Sequence, residues 1–166
     1  MLDSVETRRS LLFGLGRARP SGPLPPGATR ESIGLCSGCG ECAAGCPQRI
    51  IRMDNGAPTV DFSLGECNFC GECGARCPEA VFVTAHAMRF DHVARIEDHC
   101  LALNSVDCQS CRDVCPEMAI RFVPARGKPF QPTLDAARCS GCGACLSVCP
   151  VQAIGLSHQQ AEAQHG

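Results

Sequence analysis

Sixteen cysteines fall into four runs of four, with none left over: Cys36, Cys39, Cys42 and Cys46; Cys67, Cys70, Cys73 and Cys77; Cys100, Cys108, Cys111 and Cys115; Cys139, Cys142, Cys145 and Cys149. Three runs read C-x2-C-x2-C-x3-C-P and the third reads C-x7-C-x2-C-x3-C-P, closing on Pro47, Pro78, Pro116 and Pro150. Thiolates at this spacing grip [4Fe-4S] cubanes. Three close cysteines on one loop reach three irons, while the fourth, expected at the start of a short helix pointing away, serves the neighbouring cluster. Four clusters are therefore predicted as cofactors, with all sixteen cysteines as ligands. The proline fixes φ and lacks an N–H, which turns the chain out of the site. Gly38, Gly40, Gly71, Gly74, Gly141 and Gly143 recur beside the ligands, where backbone N–H groups approach sulfide and positive φ is in demand.

Two other uses of cysteine fit less well. Zinc sites set two C-x2-C pairs a dozen or more residues apart, whereas four thiols here crowd into eleven residues three times over. A disulfide framework belongs to short secreted chains with a signal peptide and without such regular spacing.

Around these ligands the chain has little else to fold with. It holds no Trp and no Tyr among 166 residues, only 4% are aromatic, and 19% are charged, so much of the folding free energy must come from metal ligation. The formal charge is −2; four cubanes with their thiolates, at about −2 each, take the loaded protein to about −10. That charge opposes nucleic-acid binding. No run of eighteen apolar residues exists to span a membrane.

The first thirty residues differ in character. Arg8, Arg9, Arg17, Arg19 and Arg30 face only Asp3 and Glu6, a net +3, and residues 20–27 are too rich in Pro and Gly for a helix, so they read as an extended linker. Thr7-Arg8-Arg9-Ser10-Leu11-Leu12-Phe13 looks like a twin-arginine export signal, but Gly14, Arg17, Arg19 and Pro20 cut short the apolar stretch that export requires. A cytoplasmic protein with a basic docking tail is the expectation.

A phrase returns after each fourth cysteine: Ile50-Ile51, Val81-Phe82, Ala119-Ile120 and Ala153-Ile154 place a β-prone pair just past the helical turn. Asn55-Gly56 between apolar segments predicts a hairpin joining runs one and two. A second hairpin, around Arg126-Gly127-Lys128, joins runs three and four, with Pro129 and Pro132 marking edge pairing. His92–Ile96 reads as the opening strand of a second unit. The fold class expected is α+β, ferredoxin-like: a basic tail and linker over 1–30, one dicluster module over 31–90, a second over 91–157, and a disordered C-terminus over 158–166. In this tandem arrangement Cys36, Cys39, Cys42 and Cys77 hold one cluster and Cys67, Cys70, Cys73 and Cys46 its neighbour. Cys100, Cys108, Cys111 and Cys149 hold the third, and Cys139, Cys142, Cys145 and Cys115 the fourth. A nested arrangement, pairing run one with run four, stays open at this point.

These features resemble the NapF-type ferredoxins, accessory proteins of periplasmic nitrate reductase systems, over nearly the whole chain. The resemblance is carried by the Arg8-Arg9 pair before its short apolar stretch, the widened gap of the third run from Cys100 to Cys108, and Gln131-Pro132-Thr133-Leu134 leading into Cys139. It implies a cytoplasmic four-cluster protein that associates with the immature catalytic subunit of periplasmic nitrate reductase and helps it acquire its iron-sulfur cluster before export, with the basic tail as docking segment. Cluster content alone does not separate that role from an electron-transfer ferredoxin or an electron-transfer subunit of a larger oxidoreductase.

No catalytic constellation accompanies the clusters. His86, His92, His99, His158 and His165 are scattered, and no phosphate-cradling or dinucleotide-binding glycine motif stands between a strand and a helix. The chain is not expected to be an enzyme by itself. His99, beside Cys100, reads as a loop residue, and Glu41, Glu66, Glu72, Asp107 and Asp113 read as a solvated face.

Overall fold

The computed structural model describes residues 20–83 and 88–158. The twin-arginine segment, Arg17, Arg19, His86 and His165 lie outside the described residues, as does the C-terminal stretch beyond His158.

Each cysteine run builds the same local unit. A glycine in the left-handed region opens a single helical turn in three of the four: Gly40 (φ 82°) before α1 (Glu41–Ala44), Gly71 (φ 78°) before α2 (Glu72–Ala75) and Gly143 (φ 86°) before α4 (Ala144–Ser147). The remaining turn, α3 (Ser110–Asp113), starts from Gln109 instead. The third cysteine of every run occupies the second position of its helix. The fourth lies two residues beyond the helix end and not at a helix start, so the turn acts as a spacer that carries the last thiol away from the first three.

Past the fourth cysteine the chain reverses through a left-handed residue: Arg49 (φ 55°), Met118 (φ 48°) and Gln152 (φ 53°). Their N–H groups bond back to Cys46 O, Cys115 O and Cys149 O at 3.0, 3.1 and 3.2 Å. Strands follow: β1 (Ile51–Asp54), β4 (Ile120–Ala125) and β6 (Ile154–His158). Run two departs from the pattern, for Phe82 makes only an isolated bridge to Ala28. The partner stretch explains this: Pro20, Pro23, Pro25 and Pro26 lack the N–H groups that a ladder needs.

The predicted hairpins form. β1 pairs antiparallel with β2 (Ala57–Val60), Ile51 opposite Val60 and Asp54 opposite Ala57, through Asn55 and Gly56 at φ 51° and 76°, the two positive values of a type I′ turn. β4 pairs with β5 (Lys128–Leu134), Ile120 opposite Leu134, with an irregularity between Val123 and Ala125 where Pro124 cannot donate. β3 (His92–Ile96) forms where expected, and its partner is β6, with His92 opposite His158 and Ile96 opposite Ile154. His158 is thus the last residue of a strand, one residue inside the stretch expected to be a disordered C-terminus.

This pairing ties the strand that opens the second cysteine pair to the strand that closes it, so runs three and four form one unit. Runs one and two form the other. The architecture is small α+β with tandem modules, and the nested alternative falls away.

The proline-rich segment is not the extended linker expected: it bends at Ser21 and Gly22, turns at Pro26 and Gly27, and packs on the first hairpin. Val60 N–H donates to Pro23 O (2.8 Å), and Ser21 donates from its N–H (3.0 Å) and its Oγ (2.9 Å) to Asp54 Oδ2. Those donations hold the Asp54 carboxyl below its usual range. Pro25 is fully buried.

Candidate metal centres

Within each module, buried thiols from the two cysteine runs lie close to one another. Burial pushes the Cys42 thiol up to about 11, its Ala43 N–H bond opposes this, and Cys36, Cys77 and Cys73 are the nearby sulfurs that raise it further. Cys67 and Cys73 are likewise pushed up to about 11 by burial, each with Cys46 and Cys70 as neighbours. Burial raises Cys111 to about 11, beside Cys100, Cys108 and Cys149. Cys145 rises to about 12 from burial, beside Cys139, Cys142, Cys111 and Cys115. Two small cavities are bordered by such thiols, one by Cys46, Cys67, Cys70 and Cys73, the other by Cys115, Cys139, Cys142 and Cys145.

The donor set fits an iron-sulfur cluster. Crowded, half-buried thiols resist ionisation on their own, so a cation must repay their desolvation and displace their protons.

The second module adds backbone donors to two of these sulfurs: Ala119 N–H to Cys115 Sγ (3.3 Å) and Ala153 N–H to Cys149 Sγ (3.1 Å). Hydrogen bonds of this kind tune cluster potential. The widened gap of run three is tied down by Asn104 Nδ2, which donates to Asp98 O (2.7 Å) and Cys100 O (2.9 Å), and by Gln131 Nε2 donating to Ala102 O (2.8 Å). The detour thereby returns Cys108 beside Cys111 and leaves Cys100 buried. Cys39 and Cys70, by contrast, are exposed.

His99 sits in an exposed turn, and Glu41, Glu66, Glu72, Asp107 and Asp113 are all exposed, in keeping with a solvated face. Three supporting residues went unnoticed in the sequence. His92 is 2% exposed, and its Nε2 lies 3.0 Å from Gly141 O in the run-four loop; burial depresses its pKa, against the pull of Gly141 and Asp91. Phe62 stacks edge-on to Phe90 at 5.4 Å and lies directly against Gly143, leaving no room for a Cβ there. Phe69 takes a left-handed conformation (φ 56°) at the offset where runs one and four carry Gly38 and Gly141. A bulky apolar residue between Cys67 and Cys70 was the signal for it in the sequence.

Gly143→Ala is expected to destabilise the loaded protein by about 2–4 kcal/mol, combining left-handed strain with overpacking. Gly127→Ala, also at positive φ (69°) but with open space around it, should cost only about 1 kcal/mol. Thermal denaturation of the two variants side by side measures the difference; equal midpoints would refute the contact with Phe62.

The 4Fe-4S dicluster domain family matches the chain twice, over residues 35–81 and 106–153. Two such domains with sixteen cysteines fit four [4Fe-4S] clusters. The chain is similar to the "Ferredoxin-type protein NapF" of Escherichia coli (strain K12), 40% identical over 151 residues that cover 89% of this chain and 92% of the relative. Its similarity to the protein of the same name from Haemophilus influenzae is 40% over 139 residues, covering 82% and 79%. The "Methylamine utilization ferredoxin-type protein MauM" of Methylobacillus flagellatus is 30% identical over 168 residues, covering 83% and 70%.

Proposed function

Because this chain belongs to the family of NapF ferredoxin-type proteins with 4Fe-4S dicluster domains, we propose that it acts in the cytoplasm on the immature catalytic subunit of a periplasmic nitrate reductase. There it supports insertion of that subunit's iron-sulfur cluster before export. In this reading Cys36, Cys39, Cys42 and Cys77 hold the first cluster; Cys67, Cys70, Cys73 and Cys46 the second; Cys100, Cys108, Cys111 and Cys149 the third; Cys139, Cys142, Cys145 and Cys115 the fourth. The clusters supply one-electron storage and a reservoir of iron and sulfide. The chain itself supplies thiolates, buried surroundings and a surface for the partner, and is not itself an enzyme.

The observation that carries the proposal is the exposure of Cys39 and Cys70 on the first module. A ligand thiol at the surface lets a partner's thiol approach and exchange with it, which is what assembly on another protein demands. The basic tail, with Arg8 and Arg9, is the docking segment in this reading. Among the described residues no helix is long and apolar enough to cross a membrane.

Electron transfer is the second reading. It is supported by a main-chain contact between the modules, Cys67 N–H to Cys142 O at 2.9 Å, since closely spaced centres exchange electrons readily. Incubating the loaded protein anaerobically with cluster-free catalytic subunit, without added iron or sulfide, separates the two. Maturation predicts that the subunit gains cluster absorbance and that removal of residues 1–19 weakens the gain. Reduction of an already loaded subunit, with no gain by the empty one, would decide for electron transfer.

A further inference from the structure

Resting on the thiol sets proposed above, we infer that the four centres stand in a single row, in the order first, second, fourth, third, with the modules joined through the ligand loops of runs two and four. The row is assembled from contacts between loops. Inside the first module Cys42, of the first set, neighbours Cys73 of the second. Inside the other module Cys145, of the fourth set, neighbours Cys111 of the third. The link between them is the bond from Cys67 N–H, of the second set, to the main-chain oxygen of Cys142, of the fourth (2.9 Å).

The junction is sealed by aromatic side chains from both sides. Phe62, just past β2, presses on Gly143 in the run-four loop. Phe90 packs against Phe62 (5.4 Å) and Phe69 (5.7 Å), and its own N–H donates to Ser140 O (2.9 Å). His92 completes the seam by its contact with Gly141 O, with its ring 5.7 Å from that of Phe62. Leu146, from α4, and Leu156, from β6, pack into the first module's core around Ile50, Ile51 and Val60. So much buried apolar surface fixes the two loops in one relative position. Phe69 thereby acquires a role: an aromatic residue where runs one and four carry glycine closes the gap between modules.

The test is electron paramagnetic resonance of the fully reduced, loaded protein and of two variants. Cys70→Ala deletes the second centre; the row then predicts loss of about four irons and a spectrum in which one isolated spin, the first centre, stands beside one coupled pair. Cys108→Ala deletes an end of the row; about four irons should again be lost, with every remaining spin still coupled. If Cys70→Ala loses about four irons and shows no isolated spin, the order is overturned and the thiol sets stand. If either variant loses a different complement of iron, the sets beneath the order are overturned and the order with them. Hydrogen exchange on the unmodified loaded protein covers a variant that fails to fold. The Cys67 amide is expected to exchange at least about tenfold more slowly than the amides of open loop residues, and exchange at the open rate would overturn the junction.

Discussion

Anaerobic removal of iron is expected to abolish the fold: far-ultraviolet circular dichroism should shift to that of a largely unordered chain, and the cooperative thermal transition should vanish. The four α-helices among the described residues are single turns of four residues each, far below the length at which a helix holds by itself. The sheets are two-stranded, marginal in water without packing. The core that should stabilise them is built largely from the ligands. Cys111, Cys139 and Cys145 sit in one apolar cluster with Val93, Ile120 and Ile154, while Cys42 shares another with Ile50, Val60 and Phe62. Without metal those sulfurs are buried thiols with weak partners, and no Trp or Tyr is present to make up the loss. Binding energy of the order of 10 kcal/mol or more per structural metal site is then folding energy. A chelated protein that kept the dichroism and the melting transition of the loaded form would refute this.

The second large effect is expected at the fourth cysteine of a run. Cys46→Ala should cost about four irons per molecule, and the cluster lost should be the one that Cys70→Ala also removes, although Cys46 belongs to the other loop. The double variant Cys46→Ala/Cys70→Ala should therefore lose no more iron than either single one. Cys46→Ala/Cys39→Ala should lose about twice as much, because its two thiols serve different clusters. Sites acting as one unit fail to add, and independent sites add. The same logic pairs Cys77 with Cys39. Iron and acid-labile sulfide assays on the four proteins check it; additive loss in the first double variant would show that each run keeps its own cluster. The exchanged thiol also fastens the halves of the module together through iron, so Cys46→Ala is expected to lower the thermal midpoint more than Cys39→Ala, whose thiol is exposed.

Much of this site was legible in the residues because cluster ligation constrains spacing so tightly. The two dicluster domains, the Asn55-Gly56 hairpin and the strand at His92–Ile96 all follow from local pattern. What escaped depends on contacts between remote segments. The β-prone Val81-Phe82 pair looks like the other three, yet among the described residues it forms no strand, because the segment it bridges, around Ala28, is rich in proline. Left-handed Arg49, Met118 and Gln152 carry no glycine to announce them; their conformation is imposed by the reversal needed to bring the chain back from the fourth thiol. His92 reads as an alternating strand residue until Gly141, far along the chain, is found beneath it. The helical turn misled in a smaller way: the offset of the fourth cysteine pointed to a helix start, whereas the turn is already finished there.

The pairing of β3 with β6 also governs how the protein is born. A polypeptide leaving the ribosome presents the first cysteine pair whole once Cys77 has emerged, but β3, which opens the second unit, must wait for the distant β6 to be translated before it finds a partner. Iron arriving during biosynthesis is therefore expected to meet the first cysteine pair already assembled while the second still lacks its closing strand.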